Sequence, residues 1–393
     1  FISLTPFFAV NVAVSAIVAR RKGENRRRQA NEMLVTALVL CLIMCAIITV
    51  VFVGAADPLM HFAGSNPDTH ESAVIYFKII IGGTFFNIMT MVINSAQRGS
   101  GNTRISMTTN LVSSCVNILF NYLLIGGHFG FPALGVTGAA LATVLGTVVS
   151  FFMAVGSLFR RDSYCSLKAI LQERVKPTAS ALGNIWHLGS NMCLENLLMR
   201  VGFLTTALLA ARLGTDEFAA HNVGMNLLGL AFSFADGMQA AAVALSGEAL
   251  GQGEKQKAKD YGNICQRIGF GISIFLSVLL LLFGRQFFGL YFKEEHIISM
   301  GVLICRFICV IVILQISQII FGACLRAAGD VRYTLIASMV SVALVRSITT
   351  WVLVAVFHMG LAGIWLGVFS DQFTRFVFMF TRFRQGKWVD ISL

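Results

Sequence analysis

Residues 98–104 read Arg-Gly-Ser-Gly-Asn-Thr-Arg, and residues 326–332 read Arg-Ala-Ala-Gly-Asp-Val-Arg. Each stretch closes one long apolar segment and opens the next. Arg98, Gly101 and Arg104 fall on Arg326, Gly329 and Arg332 at a single offset of 228. Two more anchors follow the same order. Gly23-Glu24 matches Gly253-Glu254 at offset 230, and Gly135 and Gly138 match Gly360 and Gly363 at offset 225. Three anchors in one order mark a chain built from two related halves.

The solvent of those halves follows from composition. Of 393 residues, 56% are hydrophobic and only 12% charged, where soluble domains carry about 25% charged residues. The apolar excess recurs along the whole chain, so it indicates a polytopic membrane protein. A net charge of +11 could suggest a nucleic-acid partner. The basic residues, however, sit in short loops between apolar runs, where Lys and Arg orient membrane helices. The nine cysteines lie almost entirely inside those runs. Cys41/Cys45 and Cys305/Cys309 are each one helical turn apart, with no histidines clustered beside them. That pattern suits small core residues and predicts neither disulfides nor a zinc site.

Eleven apolar spans are expected, at 1–19, 33–56, 72–97, 105–126, 134–159, 186–212, 217–250, 262–290, 297–325, 333–357 and 360–381. They are long and unalternating, hence helices rather than barrel strands. The loops at 20–28, 98–104, 160–176, 255–259, 326–332 and 382–387 hold 21 of the 30 Lys and Arg. The opposite loops hold three, Arg212, Arg285 and Lys293, together with Asp57, Asp68, Glu71, Asp216, Glu217, Glu294 and Glu295. By the positive-inside rule the first set, and with it the C-terminus, is cytoplasmic.

The organisation expected is an N-terminal lobe of five spans (1–160), a cytoplasmic linker (161–185) and a C-terminal lobe of six spans (186–393). In the linker Leu167, Ile170, Leu171 and Val175 recur at helical spacing. They fit a short helix on the leaflet surface or a plain solvated connection. Offsetting the second half onto the first leaves its opening span without a counterpart. The arithmetic predicts a complete protein of twelve helices in which this chain lacks the first helix. Six spans return the chain to its starting side, so the halves form a parallel repeat about an axis along the membrane normal, as in many transporters.

Four stretches then carry a family resemblance. They are Glu195-Asn196-Leu197-Leu198-Met199-Arg200-Val201-Gly202 with Leu213-Gly214-Thr215 and Ala219-Ala220-His221-Asn222; Leu250-Gly251-Gln252-Gly253 with Lys257-Ala258; Leu325-Arg326-Ala327-Ala328-Gly329-Asp330; and Gly363-Ile364-Trp365 through Asp371, Arg375 and Gly386-Lys387-Trp388. In this order the chain resembles the multidrug and toxic compound extrusion (MATE) transporters, in the bacterial branch close to the DNA-damage-inducible F proteins. The resemblance implies an all-α fold of two six-helix lobes in a bacterial inner membrane. It implies a monomer that exports amphipathic, often cationic small molecules by antiport with H+ or Na+. No cofactor beyond the coupling ion is implied, and no enzymatic activity. It also implies that an aspartate of the N-lobe cation site, carried on the family's first helix, is absent from this sequence. Two alternatives remain at this stage: a flippase for lipid-linked saccharides of the same superfamily, and a non-transporting membrane scaffold.

Ionisable residues at membrane depth are costly and face a cavity or a partner. Glu195 lies in the first third of its span and is a candidate to take up and release a proton, or to hold Na+ nearby; the other reading is a structural ion pair. Arg200 is about 140° around the helix from it, so Glu195 needs a partner from another helix. Asp236 sits inside the next span, and at offset 230 it faces Pro6 in the first half, an asymmetry that suggests function. Asp371 and Arg375 are spaced i,i+4 for an intrahelical salt bridge that Arg346 could share. Arg306 reads as a further deep cation of that buried network. His221 belongs to the residue type that titrates between pH 5 and 8, and Asn222 stands beside it. Polar support could come from Asn87 and Asn117 in the first half and Gln239 and Gln315 in the second, either toward a ligand or between helices. The 33 Phe and 15 Met could line a cavity for flat cations, although most must face lipid or core. Arg98 and Arg326 read as anchors at the membrane surface. No Gly-rich phosphate loop, metalloprotease motif or nucleophile motif is present, so energy for transport would come from an ion gradient.

Overall fold

The computed structural model describes residues 4–62, 67–160 and 163–391. The start of the first expected span, the side chain of Asp68 and the first two linker residues lie outside the described residues. Among the described residues thirteen α-helices follow one another: α1 (Thr5–Gly23), α2 (Arg27–Gly54), α3 (Ala56–Phe62), α4 (Pro67–Gly99), α5 (Thr103–Gly126), α6 (Gly135–Leu158), α7 (Leu167–Gln172), α8 (Ala179–Leu213), α9 (Thr215–Gly251), α10 (Lys255–Tyr291), α11 (Glu295–Ala328), α12 (Val331–Val356) and α13 (Gly360–Gln385). Each of the eleven expected spans is one of the long helices. Nine of these are long and apolar enough to cross a membrane. The other two are α1, which ends in Arg20-Arg21-Lys22, and α13, which carries Asp371 and Arg375 in its middle. Helices α8 to α11 run 34 to 37 residues. At 1.5 Å per residue they reach about 50 Å, well beyond a hydrocarbon core of about 30 Å.

The chain divides into two compact units, one ending at Trp186 and the other beginning at His187, so the division falls within α8. In the first unit α1 is the most enclosed helix: Phe7, Ala13, Val14, Ala16, Val18 and Ala19 are all solvent-free. Its small residues admit α4 closely, and a Cβ at Gly99 would meet the Ser15 carbonyl. Helix α6 approaches α5 in the same way, with Gly138 against the Leu124 carbonyl and Gly146 against that of Ser113. Close packing through small residues is how helices associate when lipid removes the hydrophobic drive between them. On α2, Leu42, Ile43, Ile47, Val50 and Val51 remain exposed, as a lipid-facing stripe should be. The linker forms the short helix α7, whose N-cap Ser166 accepts from the Ala169 amide at 3.2 Å.

In the second unit α11 is central, packed against α9, α10 and α13. Its last fourteen residues, from Gln315 to Ala328, are all buried. Helix α12 is widened by two π-helical stretches, Met339–Arg346 and Val352–Val356, a deformation frequent at functional sites.

The repeat is visible in backbone geometry. Gly101 and Gly329 both end a helix at positive φ, 85° and 94°. Gly101 N donates to Arg98 O and Asn102 N to Gln97 O; Gly329 N donates to Arg326 O and Asp330 N to Leu325 O. The register of the next anchor needs correction. The left-handed residue after α1 is Asn25 (φ 57°), and its counterpart after α9 is Gly253 (φ 78°), again at offset 228. Their bonds agree: Asn25 N to Lys22 O and Arg26 N to Arg21 O, Gly253 N to Leu250 O and Glu254 N to Ala249 O. At this register Asp236 matches Phe8 rather than Pro6, and the asymmetry read from offset 230 disappears. Gln239 now matches Asn11.

Candidate functional site

Helix α8 is set by Thr178, whose hydroxyl accepts from the Ala181 amide (3.3 Å) and whose own amide donates to Thr36 Oγ1 (3.2 Å). Along α8, Glu195, Met199, Gly202 and Thr206 recur at i, i+4, i+7 and i+11, one helical stripe. That stripe faces α11, α12 and α13 and meets two buried polar clusters.

The first cluster surrounds Glu195. Its Oε1 accepts from Arg326 Nη1 (3.3 Å) and Ser338 Oγ (2.9 Å), and Thr334 Oγ1 lies 3.4 Å from Oε2. Arg326 Nη2 donates to Gln239 Oε1 at 3.2 Å. Thr334 and Ser338 are solvent-free, and the pair itself is nearly enclosed, at 9% exposure for the Arg326 side chain and 13% for that of Glu195. Arg326 is therefore not a surface anchor. It is the ion-pair partner that Glu195 needs from another helix.

The second cluster lies further along the stripe. Asp371 takes a two-pronged contact from Arg375, Nε to Oδ1 at 3.0 Å and Nη2 to Oδ2 at 2.8 Å, while Arg346 Nη1 stands 3.5 Å from Oδ2. Arg346 also donates to Thr206 Oγ1 (3.0 Å) and lies over the Phe203 ring, 4.9 Å from its centre. Arg375 Nη1 approaches Met199 Sδ at 2.7 Å. Two guanidiniums share one carboxylate with all three groups nearly inaccessible to solvent. A groove of about 360 Å³ opens beside Arg346 between α8 and α12, with Thr206, Arg212, Thr350 and Trp351 in its walls. The hydroxyl of Thr350 is buried there with no hydrogen-bond partner among the described residues.

The remaining candidates separate from these clusters. Arg306, read as a deep cation of the network, lies on the exposed side of α11. Arg200 and Asp236 also occupy exposed faces, of α8 and α9. His221 is buried against Trp365, ring centres 5.6 Å apart, whereas its neighbour Asn222 is exposed. Gln315 is solvent-free, and neither amide atom has a partner among the described residues. Asn117 donates to Thr143 (3.2 Å) and so stitches α5 to α6; Asn87 is half-buried on α4. Sequence reasoning missed Arg326, Thr334, Ser338, Met199 and Thr206 as site residues. The available signal was the i,i+4 pair of small hydroxyls, Thr334 and Ser338, eight residues beyond a repeated arginine.

The first unit holds a related arrangement. Arg98 donates to Ser106 (3.0 Å) and Ser95 (2.9 Å), and Ser106 is the offset-228 counterpart of Thr334. Asn11, the counterpart of Gln239, is buried with both amide atoms lacking a partner among the described residues.

Among known proteins, the chain is 27% identical over 383 residues to the probable multidrug resistance protein NorM of Thermotoga maritima, covering 97% of this chain and 81% of that protein. Among solved structures it is similar to one described as the outward-facing conformation of a multidrug resistance MATE family transporter of the MOP superfamily, with TM-score 0.89, 23% identity, and coverage of 98% of this chain and 86% of the other. A second, described as a MOP superfamily transporter from Pyrococcus furiosus with reverse polarity of its binding pocket, gives TM-score 0.90 at 23% identity, covering all of this chain and 86% of the other. These likenesses establish the fold. The MatE family model matches residues 1–123 and 192–352, more than half of the sequence, and the chain belongs to the MatE family.

Proposed function

We propose that this protein is a secondary multidrug exporter in which proton binding at Glu195 is coupled to the arrangement of α8, α11 and α12. The observation that carries the coupling site is the enclosed contact between Glu195 and Arg326, set among Gln239, Thr334 and Ser338. Family membership supports the transport reading, as do relatives that carry the name multidrug resistance protein.

The chemistry favours a proton over Na+. Carboxylate, amide and hydroxyl oxygens could serve a hard cation. Here a guanidinium already occupies the cation position, and a second positive charge beside it would be repelled. A proton instead cancels the charge of Glu195 and frees Arg326 from its partner. The contact joins α8 to α11, and the hydroxyls join both to α12, so its loss changes the relative energy of helix arrangements. A charge crossing the membrane potential contributes about 2.3 kcal/mol per 100 mV, enough to bias such an equilibrium by tens of fold. Substrates would be amphipathic, mainly cationic compounds, as the family resemblance implies.

The test is ethidium or norfloxacin efflux from cells producing the full-length protein, measured across external pH and Na+. Glu195→Gln should abolish the pH dependence of export. Export that follows Na+ instead of pH, or survives unchanged in Glu195→Gln combined with Asp236→Asn, overturns the assignment.

A further inference from the structure

We propose that Asp57, His61 and His70 form a binding site for a divalent transition-metal ion, Zn2+ above all, at the end of α2 opposite its basic N-terminal turn. Asp57 and His61 stand i,i+4 on α3, and His70 comes from the first turns of α4. Their ligand atoms all lie within 4.8 Å of one another. His70 Nε2 and Asp57 Oδ1 are 2.9 Å apart, and the His61 and His70 rings are 4.2 Å apart at their centres. No other set of three Cys, His, Asp or Glu side chains converges in this way among the described residues.

The donor set selects the ion. Two imidazoles and one carboxylate suit a borderline cation such as Zn2+, which takes such ligands at about 2.0–2.2 Å and can keep a water in the fourth position. Ca2+ needs six or more oxygens and Mg2+ a near-octahedral oxygen shell, and one carboxylate cannot supply either. Ligands around a tetrahedral Zn2+ sit about 3.3 Å apart, so the three side chains need only close slightly. Asp57 and His61 are exposed, so solvent leaves room for that movement. The ion would take the place of the hydrogen bond between Asp57 and His70. The nine cysteines play no part; the histidines that make the cluster are nine residues apart, a spacing with no recognisable metal motif.

Occupancy would clamp α3 to the start of α4. The experiment titrates Zn2+ into the purified full chain in detergent, affinity tag removed, by calorimetry and by Co2+ absorption as a coordination readout. One equivalent should bind, with the strong absorption of four-coordinate Co2+. Millimolar Ca2+ or Mg2+ should not displace it. His61→Ala should weaken binding more than about tenfold, and His61→Ala with His70→Ala should remove it while the protein stays folded by circular dichroism. The other five histidines remain in that variant, so unchanged Zn2+ binding by it overturns the proposal. No binding by the unaltered chain, or equal competition by Ca2+, also overturns it.

Discussion

If Glu195 and Arg326 act as one unit, their separate and joint replacement must be non-additive. The gross attraction at 3.3 Å is about 5 kcal/mol at an effective dielectric of 20, before desolvation is subtracted. Arg326→Met leaves the carboxylate nearly enclosed with only the Ser338 and Thr334 hydroxyls. The loss should approach the roughly 3–5 kcal/mol typical of a broken buried pair. Glu195→Gln is milder, since the amide oxygen can still accept from Arg326 and Ser338; about 2 kcal/mol is expected, within the range for hydrogen bonds to charged groups. The double variant carries neither charge, and the methionine fills the space of the arginine stem. It should be no less stable than Arg326→Met alone, which is a coupling energy of at least about 2 kcal/mol, the whole of the Glu195→Gln loss. Reversible unfolding of the full chain in mixed detergent micelles measures all three. Losses that simply add, to within about 0.5 kcal/mol, would show that the two side chains do not act together and would remove the basis for a proton switch there.

Asp371→Asn should destabilise the second unit by about 3–5 kcal/mol in the same unfolding assay, because Arg346 and Arg375 would both lose their counter-charge in a site closed to solvent; Arg346→Met added to it should recover part of that loss. At the C-terminal end, the Lys255 ammonium 2.7 Å from Asp390 holds its carboxyl below the ordinary 3.8. The folded form thus binds this proton less readily than the unfolded chain. The contact contributes fully above the ordinary carboxylate range and is lost as pH falls through the lowered value. Hydrogen exchange in residues 387–391 should be faster in Asp390→Asn than in the parent at pH 7, and the difference should vanish well below the ordinary carboxylate range.

The spans were legible because a bilayer leaves few solutions: backbone groups must bond within the segment, so a run of about twenty apolar residues is a helix. The repeat was legible too, since a helix that ends in left-handed conformation favours Gly or Asn at that point. One register was misread because Gly23-Glu24 and Gly253-Glu254 share letters, whereas the residues that share conformation are Asn25 and Gly253. Asp371 with Arg375 could be paired from spacing alone, because i,i+4 neighbours on a helix touch wherever the helix goes.

Partners across helices were not legible. Arg326 lies beside a loop in the sequence, and its charge alone suggests a surface anchor. Only the packing of α8 against α11 and α12 shows that Glu195 reaches it, and that Thr334 and Ser338 complete the cluster. Arg306 illustrates the converse: its depth in a span is clear, but the face it occupies depends on how α11 is rotated. His61 and His70 likewise carry no signal as a pair until α3 and α4 fold together. The amino-acid sequence by itself determined the solvent, the helices and the duplication, because each follows from local composition and backbone chemistry. Tertiary structure alone decided which charges meet, because rotation and axial offset of packed helices arise from side-chain fit between segments far apart in sequence, 131 residues for Glu195 and Arg326.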